Sequence, residues 1–125
     1  MNDNNISVIK VRDILMVTMP PDPEDPTVSA LQSKVLEAME RFEAKGVVLD
    51  ISSVETLDSF FARTVTETAQ MVTLMGGRTI IAGMRPAVAV TATEIGLTLG
   101  NIETAHNVDR ALDMVLAKPR SKRLQ

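Results

Sequence analysis

The stretch from Gly46 to Phe60, GVVLDISSVETLDSF, decides the fold of this chain. It begins with a short continuous apolar run, Val47-Val48-Leu49, which is typical of a strand buried on both faces of a sheet flanked by helices. A polar connection follows, and Asp58-Ser59 then opens an amphipathic helix, since both residue types are good N-caps. A serine hydroxyl at the positive end of a helix is also a favourable place for a phosphate.

Strands and helices are predicted to alternate on both sides of this stretch. Strands are predicted over residues 6–11, 14–18, 47–50 and 78–82 and around Ile102, and helices are predicted to begin near Asp25, Ser59, Pro86 and Asn107. The first two strands should form a hairpin, and the later ones should be parallel. We therefore predict an α/β domain over residues 1–117, with a mixed central sheet of about four to five strands and about four helices. A basic, disordered tail is expected over residues 118–125.

Helix ends and apolar stripes follow from residue type and spacing. Asp25 is expected to cap the first helix with Pro26 at its first position, and Gly46 to end it in a left-handed conformation. Gly96 and Gly100 are expected to punctuate the connection to the last strand. The predicted core-facing stripes are Val28, Leu31, Val35, Met39 and Phe42; Phe61, Val65, Thr68, Val72 and Met75; Val88, Val90 and Ile95; and Val108, Leu112, Val115 and Leu116.

Composition argues against several classes of function. The chain has no cysteine, which excludes disulfides, a thiol nucleophile and thiolate metal sites. A net charge of −3, with three Phe and no Tyr or Trp, disfavours nucleic-acid binding. The sequence contains no apolar run of about 18 residues, so no membrane-spanning helix is predicted. The N-terminus lacks the layout of a signal peptide, so we expect a cytoplasmic protein.

Catalytic interpretations find little support. His106 is the single histidine and is expected to be a solvated or capping residue. Ser59 has no histidine or lysine base beside it in sequence, and no phosphate-binding glycine loop is present. Asp50, Glu55 and Asp58 could converge to hold a hard cation, but a solvated acidic rim is the favoured interpretation. We therefore expect no enzymatic activity, no cofactor and no metal.

Two interpretations of Ser59 remain open from the residues alone: a helix cap or a phosphoacceptor. A phosphate about 6 Å from Asp58 would cost roughly 1–1.5 kcal/mol in water, and the helix N-terminus would return roughly 0.3–1 kcal/mol. Phosphorylation should therefore leave the domain folded. Phe60 aligns with Thr64 and Glu67 on a predicted solvent-facing arc, where it is either an interface anchor or tucked under the preceding loop.

Asp58-Ser59-Phe60 resembles the STAS family, the domain of sulfate transporters and anti-sigma factor antagonists, over about residues 6–117. Monomeric anti-sigma factor antagonists of this family commonly have Asp-Ser-Ser-Gly at this site, whereas this chain has Asp58-Ser59-Phe60-Phe61. That difference, together with the segment Pro86-Ala87-Val88, favours the RsbS-type stressosome scaffolds within the family. Further segments that carry the resemblance are VVLD at 47–50, LMGG at 74–77, AGMRPAVA at 82–89 and EIGL at 94–97.

The resemblance implies a non-enzymatic scaffold that assembles with itself and a sensor-bearing STAS paralogue. It would hold a switch serine/threonine kinase and release it once Ser59 is phosphorylated. The partner-binding residues that it implies are Asp58, Phe60, Arg63, Gly83, Met84 and Arg85. The alternatives are a monomeric or dimeric anti-sigma factor antagonist, and a small-ligand-binding STAS module with an anion site between residues 83–86 and the Ser59 helix end.

Overall fold

A computed structural model of the chain describes residues 6–96 and 102–117, in which strands alternate with helices. The elements in chain order are β1 (Ser7–Val11), β2 (Ile14–Thr18), α1 (Asp25–Phe42), β3 (Gly46–Asp50), α2 (Ser59–Leu74), β4 (Arg78–Ala82), α3 (Pro86–Glu94), β5 (Glu103–Ala105) and α4 (Val108–Leu116). The prediction of an α/β fold with a mixed sheet is confirmed. Gly100 and the predicted tail at 118–125 lie outside the described residues.

The described strands form one sheet in the order β1-β2-β3-β4-β5. Strands β1 and β2 are antiparallel and joined by the two residues Arg12 and Asp13, so the predicted hairpin is confirmed. Arg12 adopts the left-handed conformation that such a tight turn requires, with a φ of 56°. The other three strand pairs are parallel. Their carboxyl ends therefore meet at one edge of the sheet, where the connection to α2 begins.

Strand β3 is covered on both faces, which explains its continuous apolar sequence. Val47 and Leu49 face the main core with α1 and α2, and Val48 faces a second cluster that includes Ala111 of α4. All three are at most 3% exposed. The strand that leads toward Ser59 is therefore fixed from both sides.

The ends of α1 differ from the prediction. Glu24, not Asp25, is the N-cap, and its carbonyl accepts from the Val28 N–H at 2.9 Å. Glu43, not Gly46, ends the helix in the left-handed region at φ 49°. Gly46 is instead the first residue of β3, where an added Cβ would lie 2.9 Å from a methyl carbon of Val115. Close packing of α4 on the sheet, which local sequence does not reveal, explains this glycine.

The apolar stripes of α1 and α2 are confirmed except at their last residues. The α4 stripe packs against the second cluster through Val108, Leu112 and Val115, but Leu116 is 44% exposed, and the α3 stripe is confirmed only at Val88. Phe42 and Met75 are 40% and 46% exposed, because they lie at the final turn or cap of their helices. Helix α3 is buried only through Val88 and Ala92, so Val90 points away from the protein and is 58% exposed. None of the helices in residues 6–96 and 102–117 is long and apolar enough to cross a membrane.

Candidate functional site

Asp58, and not Ser59, caps helix α2. The Asp58 Oδ1 accepts a hydrogen bond from the Phe61 N–H at 2.8 Å, and Asp58 has the extended backbone of an N-cap. Ser59 is the first helical residue and is exposed. Within the described residues its hydroxyl has no hydrogen-bond partner. The interpretation of Ser59 as the cap is therefore wrong, and its hydroxyl is available for modification without loss of a capping bond.

The loop between β3 and α2 is held to the body of the domain at several points. The Ile51 N–H donates to the Ala82 carbonyl at 3.0 Å, and the Glu55 N–H donates to the Pro21 carbonyl at 2.8 Å. Thr56 adds a side-chain hydrogen bond to Asp22 at 2.8 Å. Val54, in the middle of the loop, is fully buried. Ser59 therefore follows a fixed loop and begins a helix whose inner face is part of the core.

Phe60 and Arg63 form a pair on the outer side of the first turns of α2. The Arg63 guanidinium lies 5.9 Å from the centre of the Phe60 ring, in the range of a cation–π contact. Phe60 is partly buried and packs against the main core. The predicted fully solvent-facing arc is wrong, because Thr64, one turn further along, is 7% exposed. Phe60 lies at the boundary between core and surface.

The segment Gly83–Met84–Arg85 packs beside the loop that precedes Ser59. Gly83 has a φ of 80°, and an added Cβ would lie 2.9 Å from the Ser52 Cβ. The Arg85 Nε–H donates to the Ser52 carbonyl at 2.8 Å. Met84 packs against the main core and shares a small void with Leu57. Residues 83–85 and the loop that precedes Ser59 are therefore held in a fixed position relative to each other. Residues 83–85 and Ser59 nevertheless line different grooves.

The Ser59 groove, with a volume of about 360 Å³, runs along α2 and contains Ser59, Arg63, Glu67, Ile95 and Gly96. The prediction that Ile95 faces the core is wrong, because its side chain is 36% exposed. Gly96, at φ 75°, marks the helix end that places Ile95 there. A glycine directly after an apolar stripe indicates the end of a helix, where the last apolar residue can be exposed. This signal in the sequence could have identified Ile95 as part of the groove.

The Arg85 groove, of about 1000 Å³, lies at the carboxyl ends of β3, β4 and β5 and contains Gly83, Met84, Arg85, His106 and Asn107. Of the predicted partner-binding residues, Arg63 lies in the Ser59 groove and Gly83, Met84 and Arg85 lie in the Arg85 groove. Asp58 and Phe60 flank Ser59 at the start of α2 but are not among the described lining residues of either groove. Asn107 caps α4 as predicted, accepting from the Arg110 N–H at 2.8 Å.

The acidic side chains near the loop are not gathered around one point. The Asp50 Oδ1 accepts from the Ser52 N–H at 2.9 Å, and the Asp58 carboxylate is used as the cap. In the part of the chain that the structure describes, no three His, Asp or Glu side chains are close enough to hold a metal ion. His106 is exposed in the Arg85 groove. The chemistry that this site offers is that of an exposed serine hydroxyl beside a cationic and an aromatic side chain.

A sequence model of the STAS domain family matches residues 5–119, and the chain belongs to this family. It is similar to the RsbT co-antagonist protein RsbRD of Bacillus subtilis, with 33% identity over 78 residues. That match covers 62% of this chain and only 28% of the relative, so the chain spans less than a third of that protein.

Two solved structures resemble the chain over most of its length. One is a serine-to-glutamate variant of RsbS from Moorella thermoacetica, with 32% identity, a TM-score of 0.78, and coverage of 89% of this chain and 94% of that one. The other comes from a structure of the stressosome, described as a signal integration and transduction hub. It has 34% identity, a TM-score of 0.76, and coverage of 87% of this chain and 95% of that one. The chain is thus a STAS domain whose relatives include stressosome proteins.

Proposed function

We propose that the chain is a non-enzymatic stressosome scaffold of the cytoplasm that binds a switch serine kinase and releases it when Ser59 is phosphorylated. The observation that carries the proposal is the exposed Ser59 hydroxyl, which makes no hydrogen bond within the described residues. It directly follows the Asp58 cap at the start of a rigidly held helix. The likeness to RsbS and to the stressosome supports the scaffold role.

A phosphate on Ser59 would act on the neighbouring surface. Arg63 is one helical turn further along and lines the same groove, so its guanidinium can turn toward the added oxygens. The phosphate would bring about −1.5 to −2 charges, enough to compete with the contact between Arg63 and the Phe60 ring. A kinase that recognises Phe60 with Arg63 stacked upon it would then meet a rearranged and negatively charged surface.

The proposed assembly partners are further copies of the chain and a sensor-bearing STAS paralogue. The RsbT co-antagonist relative is longer and matches this chain through less than a third of its length. The proposed contact residues are Asp58, Phe60 and Arg63 at the start of α2, of which Arg63 lines the Ser59 groove, and Gly83, Met84 and Arg85 in the Arg85 groove. The Arg85–Ser52 hydrogen bond and the packing of Met84 fix the positions of the two grooves relative to each other. One domain could therefore bind two neighbouring proteins in a defined relative orientation.

Phosphate incorporation tests the role of Ser59. The protein is incubated with ATP and the switch serine kinase of the same organism, and phosphate is mapped by mass spectrometry. Ser59→Ala should abolish labelling. Ser53→Ala is the matched control, because Ser53 is an exposed serine of the preceding loop and should leave labelling unchanged. Undiminished labelling of the Ser59→Ala protein would refute the assignment.

Particle size tests the scaffold role separately. Co-expression with the sensor paralogue should give a megadalton particle in light scattering, whereas the 13.6 kDa chain would migrate as a monomer or dimer if it were a simple anti-sigma factor antagonist. A small species that nevertheless accepts phosphate on Ser59 would support the antagonist and exclude the scaffold.

A further inference from the structure

A second cavity, of about 350 Å³, lies between α2 and the β4–β5 edge of the sheet. Its lining comprises Thr79 and Ile102 from the sheet side, and Thr66, Ala69, Gln70 and Thr73 with Leu74 from α2. The first four helical positions have the spacing i, i+3, i+4 and i+7, so they form one stripe along the helix. The volume falls within the range of small-molecule sites in proteins, roughly 300–1,000 Å³.

Thr79 gives this cavity an unusual feature. The residue is 8% exposed, and its Oγ1 is the one buried side-chain polar atom in residues 6–96 and 102–117 without a hydrogen-bond partner. The other two cavity threonines differ, because Thr66 and Thr73 donate to the carbonyls of Ala62 and Ala69 at 2.9 and 3.0 Å. A buried hydroxyl without a partner is unfavourable and calls for an explanation.

The surroundings define what could satisfy that hydroxyl. None of the described lining residues is charged, and Ala69 and Ile102 are buried apolar residues. A charged ligand would lose part of its hydration against Ala69 and Ile102 without gaining an opposite charge from the described lining. We propose that this cavity binds a small neutral amphiphile whose apolar body packs against Ala69 and Ile102 and whose hydroxyl or carbonyl group hydrogen-bonds Thr79.

The proposal is independent of the scaffold function but is close to its surface. Thr66 and Gln70 belong both to this cavity and to the Ser59 groove. A ligand in the cavity would therefore lie along the same helical stripe that leads to Ser59. The exposed amide of Gln70 could offer a second hydrogen bond near the shared wall.

The test uses 1-hexanol as the probe and sodium hexanoate as its charged match. The full chain is titrated while methyl NMR signals are followed, with Ala69 and Ile102 as reporters and Val48, on the opposite face of the sheet, as the control. 1-Hexanol should shift the two reporters saturably and leave Val48 unchanged, and hexanoate should bind at least tenfold more weakly. The absence of saturable shifts, or equal binding of hexanoate, would overturn the proposal.

Two threonine-to-valine variants examine the hydrogen bond itself. Thr79→Val keeps the shape and removes the unpartnered hydroxyl, so it should fold at least as stably as the wild type but bind 1-hexanol about three- to tenfold more weakly. Thr73→Val is the matched control, because its hydroxyl is already bonded within the helix. It should change the affinity less than twofold. Unchanged affinity in Thr79→Val would show that the hydroxyl holds at most a water molecule and would exclude the proposed site.

Discussion

If Asp58 caps α2 and Ser59 does not, alanine substitutions at these two positions should have different effects on the free energy of unfolding. Asp58→Ala removes the acceptor of the 2.8 Å hydrogen bond from the Phe61 N–H. Loss of such a cap costs about 1 kcal/mol, with a range of about 0.5–2 kcal/mol. Loss of a carboxylate at a helix N-terminus contributes about 0.3–1 kcal/mol, part of which is the same interaction. We therefore expect Asp58→Ala to lower the free energy of unfolding by about 1–2 kcal/mol.

Ser59→Ala should behave differently. The serine is exposed and its hydroxyl has no partner in the described residues, so its removal should change the free energy of unfolding by less than about 0.5 kcal/mol. Alanine is also the better helix former, which gives a slight opposite contribution. The two neighbouring alanine variants should therefore differ by about 1 kcal/mol or more in the free energy of unfolding.

Urea denaturation followed by circular dichroism provides the comparison. All variants should unfold with the wild-type m-value, so that a change in midpoint reports stability alone. Asp58→Asn is the control for charge, because asparagine caps nearly as well as aspartate and should retain most of the stability. A Ser59→Ala protein as unstable as Asp58→Ala would mean that the serine hydroxyl is the cap. The proposed free phosphoacceptor would then be wrong.

Three further predictions concern the same region. Ser59→Asp should melt within a few degrees of the wild type in calorimetry but bind the switch kinase more weakly in titration; a large loss of melting temperature would show that charge damages the fold. In chemical denaturation Phe61→Ala, at 2% exposure, should cost about 3–5 kcal/mol and the half-buried Phe60→Ala about 1–2 kcal/mol, with kinase binding affected mainly by the latter; equal large losses would place both in the core. Gly83→Ala should cost more than about 1 kcal/mol by the same assay, because φ is 80° and the new Cβ would lie 2.9 Å from that of Ser52; wild-type stability would refute the close approach.

Local sequence was sufficient to predict the bounds of a helix or strand where those bounds depend on the residues of that element and its immediate neighbours. Strand β4, Arg78–Ala82, was predicted with its observed bounds because the short segment RTIIA, with its apolar Ile80 and Ile81, starts directly after Gly76-Gly77. It was insufficient at the end of α1, where Glu43 takes the left-handed conformation normally left to glycine. The nearby Gly46 is needed for contact with Val115 of the distant helix α4, and no local pattern reports such a contact.

The candidate site shows the same limit. The Asp58-Ser59 pair was recognisable from residue type, but both residues can cap a helix, and only the geometry assigns the cap to Asp58. The predicted apolar stripe of α2 also covered a narrower arc of the helix than the residues that are buried in the structure. Helix α1 packs beside α2, and Gln32 donates to the Thr68 hydroxyl at 3.2 Å. A helix covered by both a sheet and a neighbouring helix buries a wider arc, which explains why Thr64 is buried.

The arrangement around Ser59 separates what holds the helix from what a partner would recognise. The capping bond from Asp58, the backbone bonds of the preceding loop and the buried Phe61 stabilise the start of α2 without using the Ser59 hydroxyl. A charge added to that hydroxyl therefore meets few interactions that the fold depends on. Arg63 lines the same groove as Ser59, and its present contact with the Phe60 ring is worth about 0.5–1 kcal/mol at an exposed position. An arginine–phosphate bond is of comparable or greater strength, so one covalent change can redirect the arginine while leaving the domain intact.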